Sequence, residues 1–180
     1  MNRKIKTDEL ERLTAEEYAQ ANKLPLVVVL DNIRSGLNVG SIFRTSDALL
    51  VQEVHLCGIT CQPPQMDIQK TALGATNHVR WRYWPTTADC IASLKKEGFI
   101  VASVEQAENT TFLHDYHPDK KQALALVFGN EVKGVGQEIV DQSDFCIEIK
   151  QLGVKHSFNV AVCAGIVLWH VSNKLQNNEI

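Results

Sequence analysis

The chain has 180 residues, of which 44% are hydrophobic and 22% are charged, and its formal net charge is -3. This length fits a single domain, residues 1–180, with a sizeable core. No apolar run reaches the ~20 residues that a membrane span needs, and no apolar segment follows the basic N-terminus as in a secretory signal. The five scattered cysteines indicate the reduced thiols of a cytoplasmic protein rather than a disulfide framework.

The N-terminal part of the chain predicts a short helix followed by a buried strand. Thr14-Ala15-Glu16-Glu17 has the spacing of a capping box, which predicts a helix to about Asn22. Pro25 ends that helix, and residues 1–24 form a short basic, helical extension. The valine-rich run Leu26 to Leu30 is typical of a buried strand.

The rest of the chain alternates predicted strands and helices. Strands are predicted at Glu53 to Cys57, Val79 to Trp84, Phe99 to Val104, Leu124 to Phe128 and Phe145 to Ile149. Helices are predicted at Val39 to Leu50, at Thr87 to Lys96 with Gly98 as its end, and at Phe158 to Asn173. This alternation predicts an α/β fold in which helices flank a mostly parallel sheet.

Polar or glycine-containing segments follow three of the predicted strands. They are residues 31–38, 129–134 and 151–159. In parallel sheets, ligands bind beyond the carboxyl ends of the strands. We therefore expect the three segments to converge on one site.

Charge alone does not indicate a nucleic-acid partner, because the net charge is acidic. Attraction to phosphate is local, however, and is screened within about 10 Å at moderate salt. Two basic clusters could form a positive face. They are Arg3, Lys4, Lys6 and Arg12, and then Lys70, Arg80 and Arg82 with His78 nearby.

Several familiar site patterns are incomplete in this sequence. Gly134-Val135-Gly136 lacks the third glycine of a dinucleotide fingerprint, and no P-loop is present. Cys57 and Cys61 with His55 lack the second ligand pair of a zinc site, so we predict no metal. His156 beside Ser157 is a weak candidate for a base and nucleophile, because neighbours in sequence rarely face one substrate.

The remaining candidates each have a structural alternative. Arg44 is either a functional cation or an ordinary surface arginine on a helix. Glu131 is either a functional carboxylate or a loop carboxylate beside Lys133. Ser157 could instead simply cap the last helix, with Asn159 just inside it.

Three segments, taken together, resemble the motifs of a known family. They are Asn38-Val39-Gly40-Ser41-Ile42-Phe43-Arg44-Thr45, Val127-Phe128-Gly129-Asn130-Glu131-Val132-Lys133-Gly134 and Ser157-Phe158-Asn159-Val160-Ala161-Val162. In order, spacing and context, they are similar to the motifs of the SpoU (TrmH-like) family of RNA 2′-O-ribose methyltransferases in the SPOUT superfamily. The resemblance extends over roughly residues 25–172. It implies an α/β fold with a C-terminal deep trefoil knot involving about residues 124–169.

The resemblance also implies the roles of individual residues. The family's catalytic positions match Arg44, Asn38, Glu131, Ser157 and Asn159. A cofactor, S-adenosylmethionine, would bind in the knot loops at Gly129, Asn130, Ile149, Gln151 and Phe158. The Val104-Glu105-Gln106 turn would add Val104 and Glu105 to the pocket. Two departures from the family pattern are Phe158, where leucine is usual, and Lys150, where proline is common. Thr71-Ala72-Leu73-Gly74-Ala75 resembles a family feature near the substrate side.

The implied partners are RNA and a second copy of the chain. The turn at residues 104–106 and the loop at 155–159 resemble the branch that methylates guanosine in tRNA, so tRNA is favoured over rRNA. Family members act as homodimers, and the apolar face of the last helix would suit a dimer seam. Because its N-terminal extension is short, the chain resembles a minimal form of the family. A non-catalytic RNA-binding protein, a nucleotide-dependent oxidoreductase and a methyltransferase acting on a base nitrogen are the alternatives.

Overall fold

The computed structural model describes residues 2–6 and 9–176. Residues 1, 7 and 8 of the predicted extension and residues 177–180 of the predicted domain lie outside these ranges. Seven strands are described: β1 (Leu24–Asp31), β2 (Val51–Cys57), β3 (Trp81–Trp84), β4 (Ile100–Val104), β5 (Thr110–Phe112), β6 (Leu124–Phe128) and β7 (Phe145–Glu148). Six α-helices are described: α1 (Ala15–Gln20), α2 (Gly36–Ala48), α3 (Met66–Ala72), α4 (Thr87–Lys96), α5 (Gln137–Gln142) and α6 (Val160–Gln176).

The strands form one parallel sheet in the order β3-β2-β1-β6-β4-β7-β5. The central strands β1 and β6 are buried along most of their length because helices cover both faces. The core on one face includes residues of α2, α3 and α6, and the core on the other includes residues of α4 and α5. The predicted α/β class is confirmed, and the carboxyl ends of β1, β6, β4 and β7 lie side by side.

Local sequence signals explain where several elements begin and end. Thr14 caps α1 through the predicted capping box: the Glu17 N–H donates to Thr14 Oγ1 at 3.2 Å, and the Thr14 N–H donates to Glu17 Oε2 at 2.8 Å. Gly98 ends α4 with a φ of 88°, a conformation that glycine adopts without a steric penalty. No helix among the described residues is long and apolar enough to cross a membrane.

Some predicted bounds are wrong. The helix predicted at 39–50 begins at Gly36, because Ser35 caps it, so Asn38 lies inside the helix rather than in a turn before it. The last helix begins at Val160 rather than Phe158. Three short elements, α3, α5 and β5, carry too few residues for their periodicity to stand out and were not predicted.

Candidate active site

A cavity of about 300 Å³ opens at the carboxyl ends of β4, β6 and β7. It lies where the sequence predicts that the loops after the strands converge. Its lining includes every residue that the resemblance assigned to the cofactor: Val104, Glu105, Gly129, Asn130, Ile149, Gln151 and Phe158. Two of the predicted catalytic residues, Glu131 and Ser157, line it as well.

The wall of this cavity combines apolar and charged side chains. Its apolar part includes Ile147 on β7 and Val160 and Cys163 on α6. Burial first, and the nearby Glu105 carboxylate second, raise the pKa of Cys163 to about 11, so this thiol stays neutral. The charged part comprises the carboxylates of Glu105, Glu131 and Glu148 and the amine of Lys133.

The loop after β6 closes on itself tightly, and Gly129 makes that closure possible. Asn130 and Gly134 exchange two backbone hydrogen bonds, at 3.0 and 2.8 Å. A Cβ on Gly129 would lie 2.1 Å from the Val135 nitrogen and 2.2 Å from the Gly134 carbonyl carbon. The absence of a side chain at Gly129 therefore allows close approach of the loop to itself.

Glu105 joins this loop to the end of β4. Its Oε2 accepts a hydrogen bond from the Val135 N–H at 2.8 Å, and its Oε1 accepts one from the Gln106 N–H at 2.8 Å. Gly134, with a φ of 68°, lies directly under the carboxylate, where a Cβ would be 2.2 Å from Oε2. The carboxylate therefore fixes the shape of the cavity floor.

Glu131 connects the loop after β6 to the first turn of α2. Its carboxylate accepts hydrogen bonds from the Arg34 N–H at 2.8 Å, the Ser35 N–H at 3.0 Å and the Asn38 side-chain amide at 2.9 Å. Burial raises the pKa of Glu131, but these hydrogen bonds outweigh it, and the net pKa lies below the usual glutamate value. Glu131 thus pairs with two backbone N–H groups and one side-chain amide at the start of α2.

A chain of side chains continues from Glu131 to the start of α6. The Asn159 amide donates to Asn38 Oδ1 at 3.1 Å. Asn159 Oδ1 accepts hydrogen bonds from the Ala161 and Val162 N–H groups, so Asn159 caps α6. The cap suggested for Ser157 is therefore filled by Asn159, and Ser157 is an exposed residue of the cavity wall.

Two glutamine side chains, Gln106 of the 104–106 turn and Gln151 of the loop after β7, hold part of the cavity wall in place. The Gln106 side chain donates to the His156 carbonyl at 3.1 Å, and the Gln151 side chain donates to the same carbonyl at 3.3 Å. These bonds hold the loop after β7 against the end of β4. Gln106 directly follows a strand that ends at this edge of the sheet, where the ligands of parallel sheets bind.

Arg44 lies apart from this cavity. Arg44 and Asn38 are both in α2, and their six-residue separation places them about 120° apart around the helix and about 9 Å apart along it. Arg44 is exposed and lines a different cavity, together with Arg12, Tyr18 and His78. One copy of the chain therefore does not bring Arg44 together with Glu131 and Ser157.

Of the residues considered for a metal, His55 and Cys61 lie in different places. His55 is fully buried, and its Nδ1 accepts a hydrogen bond from the Trp84 indole at 3.2 Å. The other ring nitrogen, Nε2, lies 3.2 Å from Glu53 Oε2. Cys61 lies instead near the start of α2, where it is close to Gly36. Among the described residues no cluster of three or more His, Cys, Asp or Glu side chains is arranged to hold a metal ion.

Comparison with known proteins identifies the family whose motifs this site contains. Residues 25–169 match the SpoU rRNA Methylase family. A relative from Staphylococcus haemolyticus, named for the TrmH family of tRNA/rRNA methyltransferases, is 32% identical over 163 residues. The match covers 88% of this chain but 64% of the relative, so the chain spans less than two thirds of the length of that protein.

Solved structures share the fold. The SpoU methyltransferase AviRb from Streptomyces viridochromogenes, in complex with the cofactor AdoMet, is 19% identical and superposes with a TM-score of 0.76 over 86% of this chain and 62% of its own. A structure described as giving insight into 2-OH methylation of C/U34 on tRNA is 22% identical, with a TM-score of 0.73 over 83% of this chain and 95% of its own. The C-terminal knot expected from the resemblance is implied by this shared fold.

Proposed function

The chain belongs to the SpoU RNA methylase family, and from this membership we propose that it transfers a methyl group from S-adenosylmethionine to a ribose 2′-hydroxyl of RNA. The observation that carries the proposal is the cavity at the ends of β4, β6 and β7, together with the hydrogen-bonded chain Glu131–Asn38–Asn159 at its edge. Motifs distant in sequence meet there.

The residues of the cavity fit the cofactor chemically. S-adenosylmethionine carries a sulfonium and an ammonium group, and three carboxylates line the cavity. Lys133 supplies a cation for the carboxylate of the cofactor, and the apolar walls from β7 and α6 suit its adenine ring. A volume of about 300 Å³ lies within the range of small-molecule sites.

When bound, the cofactor supplies an already activated methyl group, so the protein has to align the acceptor and manage the hydroxyl proton. Asn159 and Asn38 hold the start of α6 and α2 in fixed relation to the cavity mouth. Glu131 fixes Asn38 in turn. This chain orients the wall against which the ribose would lie.

The role of Arg44 in the proposal is electrostatic. A guanidinium stays charged in proteins and is a poor base. We infer that it binds the phosphate beside the target ribose and stabilises negative charge on the 2′-oxygen. Its position on the exposed face of α2 leaves it available to substrate.

A homodimer would bring Arg44 to a cofactor cavity. Val162, Ile166 and Trp169 of α6 are 53%, 37% and 61% exposed, and their spacing places them on one helix face. Leu37, 45% exposed, lies on the same face of the adjoining α2 as Arg44. We propose that a second copy covers this apolar surface and that Arg44 serves the partner's cavity, which the single chain leaves without its cation.

The proposed substrate is tRNA, with guanosine as the expected nucleotide, in line with the resemblance of the 104–106 turn and the 155–159 loop. RNA is favoured over DNA because the acceptor is a 2′-hydroxyl. Mass-spectrometric mapping of total RNA, after incubation with protein and labelled cofactor, identifies the modified species and position. It distinguishes guanosine in tRNA from a pyrimidine such as C/U34, from rRNA, and from a base-methylated product.

The variant Arg44→Ala tests the proposed reaction. We expect equilibrium binding of S-adenosylmethionine to be retained, because Arg44 does not line the cofactor cavity. Methyl transfer should fall by several orders of magnitude, because charge on the acceptor oxygen loses its stabilising cation. Calorimetry and a labelled-methyl assay measure the two quantities.

Lys96→Ala is the matched control, since it removes a cation from α4 on the opposite face of the sheet. Near-normal turnover of Arg44→Ala would rule out the assigned role. Failure of the unaltered protein to bind the cofactor would favour the alternative, a non-catalytic RNA-binding protein.

A further inference from the structure

We propose that the cavity between α1 and the α2–α3 layer binds the phosphate backbone of the RNA, with Arg12 of the N-terminal segment acting beside Arg44. This inference rests on the proposed function and names a substrate-binding residue outside the family motifs. The cavity has a volume of about 400 Å³ and is separate from the cofactor cavity, with which it shares no lining residue.

The cavity is cationic. Arg12, Arg44 and His78 line it, and Asp47 is the one carboxylate among its described lining residues. The three basic side chains come from the N-terminal segment, from α2 and from the turn after α3, so the fold assembles the cluster. Two guanidiniums facing one cleft suit a phosphodiester, which accepts charge-assisted hydrogen bonds from planar forks of N–H groups.

The two arginines are available for a ligand, whereas other basic side chains are engaged. Arg3 pairs with Glu9 at 2.6 Å, Lys70 with Asp67 at 2.7 Å and Arg82 with Glu53 at 2.7 Å. Among residues 2–6 and 9–176, neither Arg12 nor Arg44 forms a side-chain hydrogen bond or an ion pair. The basic clusters predicted from the sequence are thus partly neutralised, whereas the two arginines of this cavity are not.

Tyr18 provides a second, independent sign of a ligand. It is 7% exposed and lines the cavity, and within the described part of the chain its buried hydroxyl has no hydrogen-bond partner. Buried hydroxyls are normally paired, because leaving one unpaired is unfavourable. Burial first, and Asp47 second, raise the pKa of Tyr18 to about 12, so the hydroxyl keeps its proton and remains a hydrogen-bond donor.

The rim of the cavity is apolar and exposed. Leu13 and Leu73 are 53% and 66% exposed. Leu73 adopts a φ of 48°, which is uncommon for a residue other than glycine. The cations of the cleft suit the phosphate of a nucleotide, and the apolar side chains at its rim suit the base. This combination favours RNA over an acidic peptide.

The experiment measures binding of unfractionated bacterial tRNA to the full chain at several salt concentrations. For Arg12→Ala we expect affinity to fall about three- to tenfold, and the slope of log K against log salt to lose about one unit, the signature of one lost phosphate contact. Arg12→Lys should recover most of the slope. Lys96→Ala, on the opposite face of the sheet, should leave the slope unchanged.

Tyr18→Phe separates binding from stability. It retains the ring and removes the unpaired hydroxyl, so the melting temperature should stay equal or rise while tRNA affinity falls about threefold. A merely structural tyrosine would change the melting temperature and leave tRNA affinity unaltered, which would contradict its part in the site.

The outcomes distinguish this inference from the proposed function. If the unaltered protein methylates tRNA and Arg12→Ala keeps both its affinity and its salt slope, the inference is wrong and the proposed function stands. If the unaltered protein neither binds nor methylates tRNA, both are wrong. Poly-glutamate binding that depends on Arg12, with tRNA binding that does not, would assign the cavity to an acidic polypeptide and overturn the inference. Cofactor affinity should be the same in all these variants.

Discussion

Glu131 organises the candidate site through its two carboxylate oxygens. Oε1 accepts from Ser35 and Asn38, and Oε2 accepts from the Arg34 N–H. An amide in its place has one acceptor oxygen and one N–H₂ donor group. The donor group would face either a backbone N–H or the Asn38 amide, so at least one of the present bonds would be lost.

For Glu131→Gln we therefore expect a loss of about 1 kcal/mol in the free energy of unfolding and at least a tenfold loss of methyl transfer. Because the pKa of Glu131 is lowered in the folded chain, its stabilising contribution is present above the unfolded value, about 4.3, and disappears as pH falls through the lower folded value. Urea unfolding at pH 7 and at pH 4 and below should show the two proteins converging in acid.

Glu138→Gln is the control for this substitution, because Glu138 is exposed on α5 and accepts one long bond, at 3.4 Å, from Gln142. An equal loss of methyl transfer in the control would show that the effect of Glu131→Gln arises from charge alone. A constant difference in the free energy of unfolding between Glu131→Gln and the unaltered protein down to pH 2 would contradict the proposed dependence of stability on the ionisation of Glu131.

At the scale of elements, the loop after β6 depends on the missing side chain of Gly129. A methyl group there would overlap the backbone of Gly134 and Val135, so the loop would have to open. The same loop contains Gly136, where a Cβ would meet nothing within 4 Å and φ is -61°. These two glycines offer a matched pair of substitutions within one loop.

Gly129→Ala should destabilise the protein by about 1–3 kcal/mol, as overpacking generally does, and should weaken S-adenosylmethionine binding by at least tenfold because the cavity floor moves. Gly136→Ala should leave both quantities within about 0.5 kcal/mol of the unaltered protein. Thermal unfolding and calorimetric titration measure them. Equal affinity in the two variants would show that the closed form of the loop is not what binds the cofactor.

The elements that the sequence predicted well are those whose signal is local. Leu124 to Phe128 and Thr87 to Lys96 have the predicted bounds. A short buried strand and a capped amphipathic helix can each be recognised from neighbouring residues alone. The start of α2 was misplaced because its cap, Ser35, precedes the periodic residues. The short strand β5 is held by pairing with β7, a long-range contact that local sequence does not contain.

In the candidate site, too, features with a local sequence signal could be predicted and long-range contacts could not. Placing the cofactor residues required the order of strand ends and the family motifs, and those residues do line one cavity. The partner of Glu131 could not be read from the sequence, because its donors lie more than 90 residues away along the chain. The separation of Arg44 from that cavity could not be predicted from the sequence either, because it depends on Asn38 lying inside α2.

At the scale of the whole molecule, the position of Arg44 and the exposed apolar face of α6 have one common explanation. The dimer that we propose through Val162, Ile166 and Trp169 would bury that face and would place the partner's cofactor cavity near α2. In that arrangement each active site combines the cavity of one copy with Arg44 of the other. A site within one copy would instead require Arg44 to reach its own cavity.

Mixing two inactive variants discriminates between these arrangements. Arg44→Ala keeps its cavity, and Gly129→Ala keeps its arginine, so a shared site is intact once in each mixed dimer. With random exchange at equal amounts, half of the dimers are mixed and half of their sites work, so we expect about a quarter of the unaltered activity to return. If the site lies within one copy, the mixture should remain as inactive as its components.

Adding Trp169→Glu to both variants should abolish this recovery, because a charge in the apolar seam opposes association. Light scattering should then report monomers. Ile59→Glu is the matched control: Ile59 is 67% exposed in the loop after β2 and away from α6, so the substitution should leave both the dimer and the recovery intact. Recovery that persists in a Trp169→Glu monomer would exclude the α6 seam as the route by which Arg44 reaches the cavity.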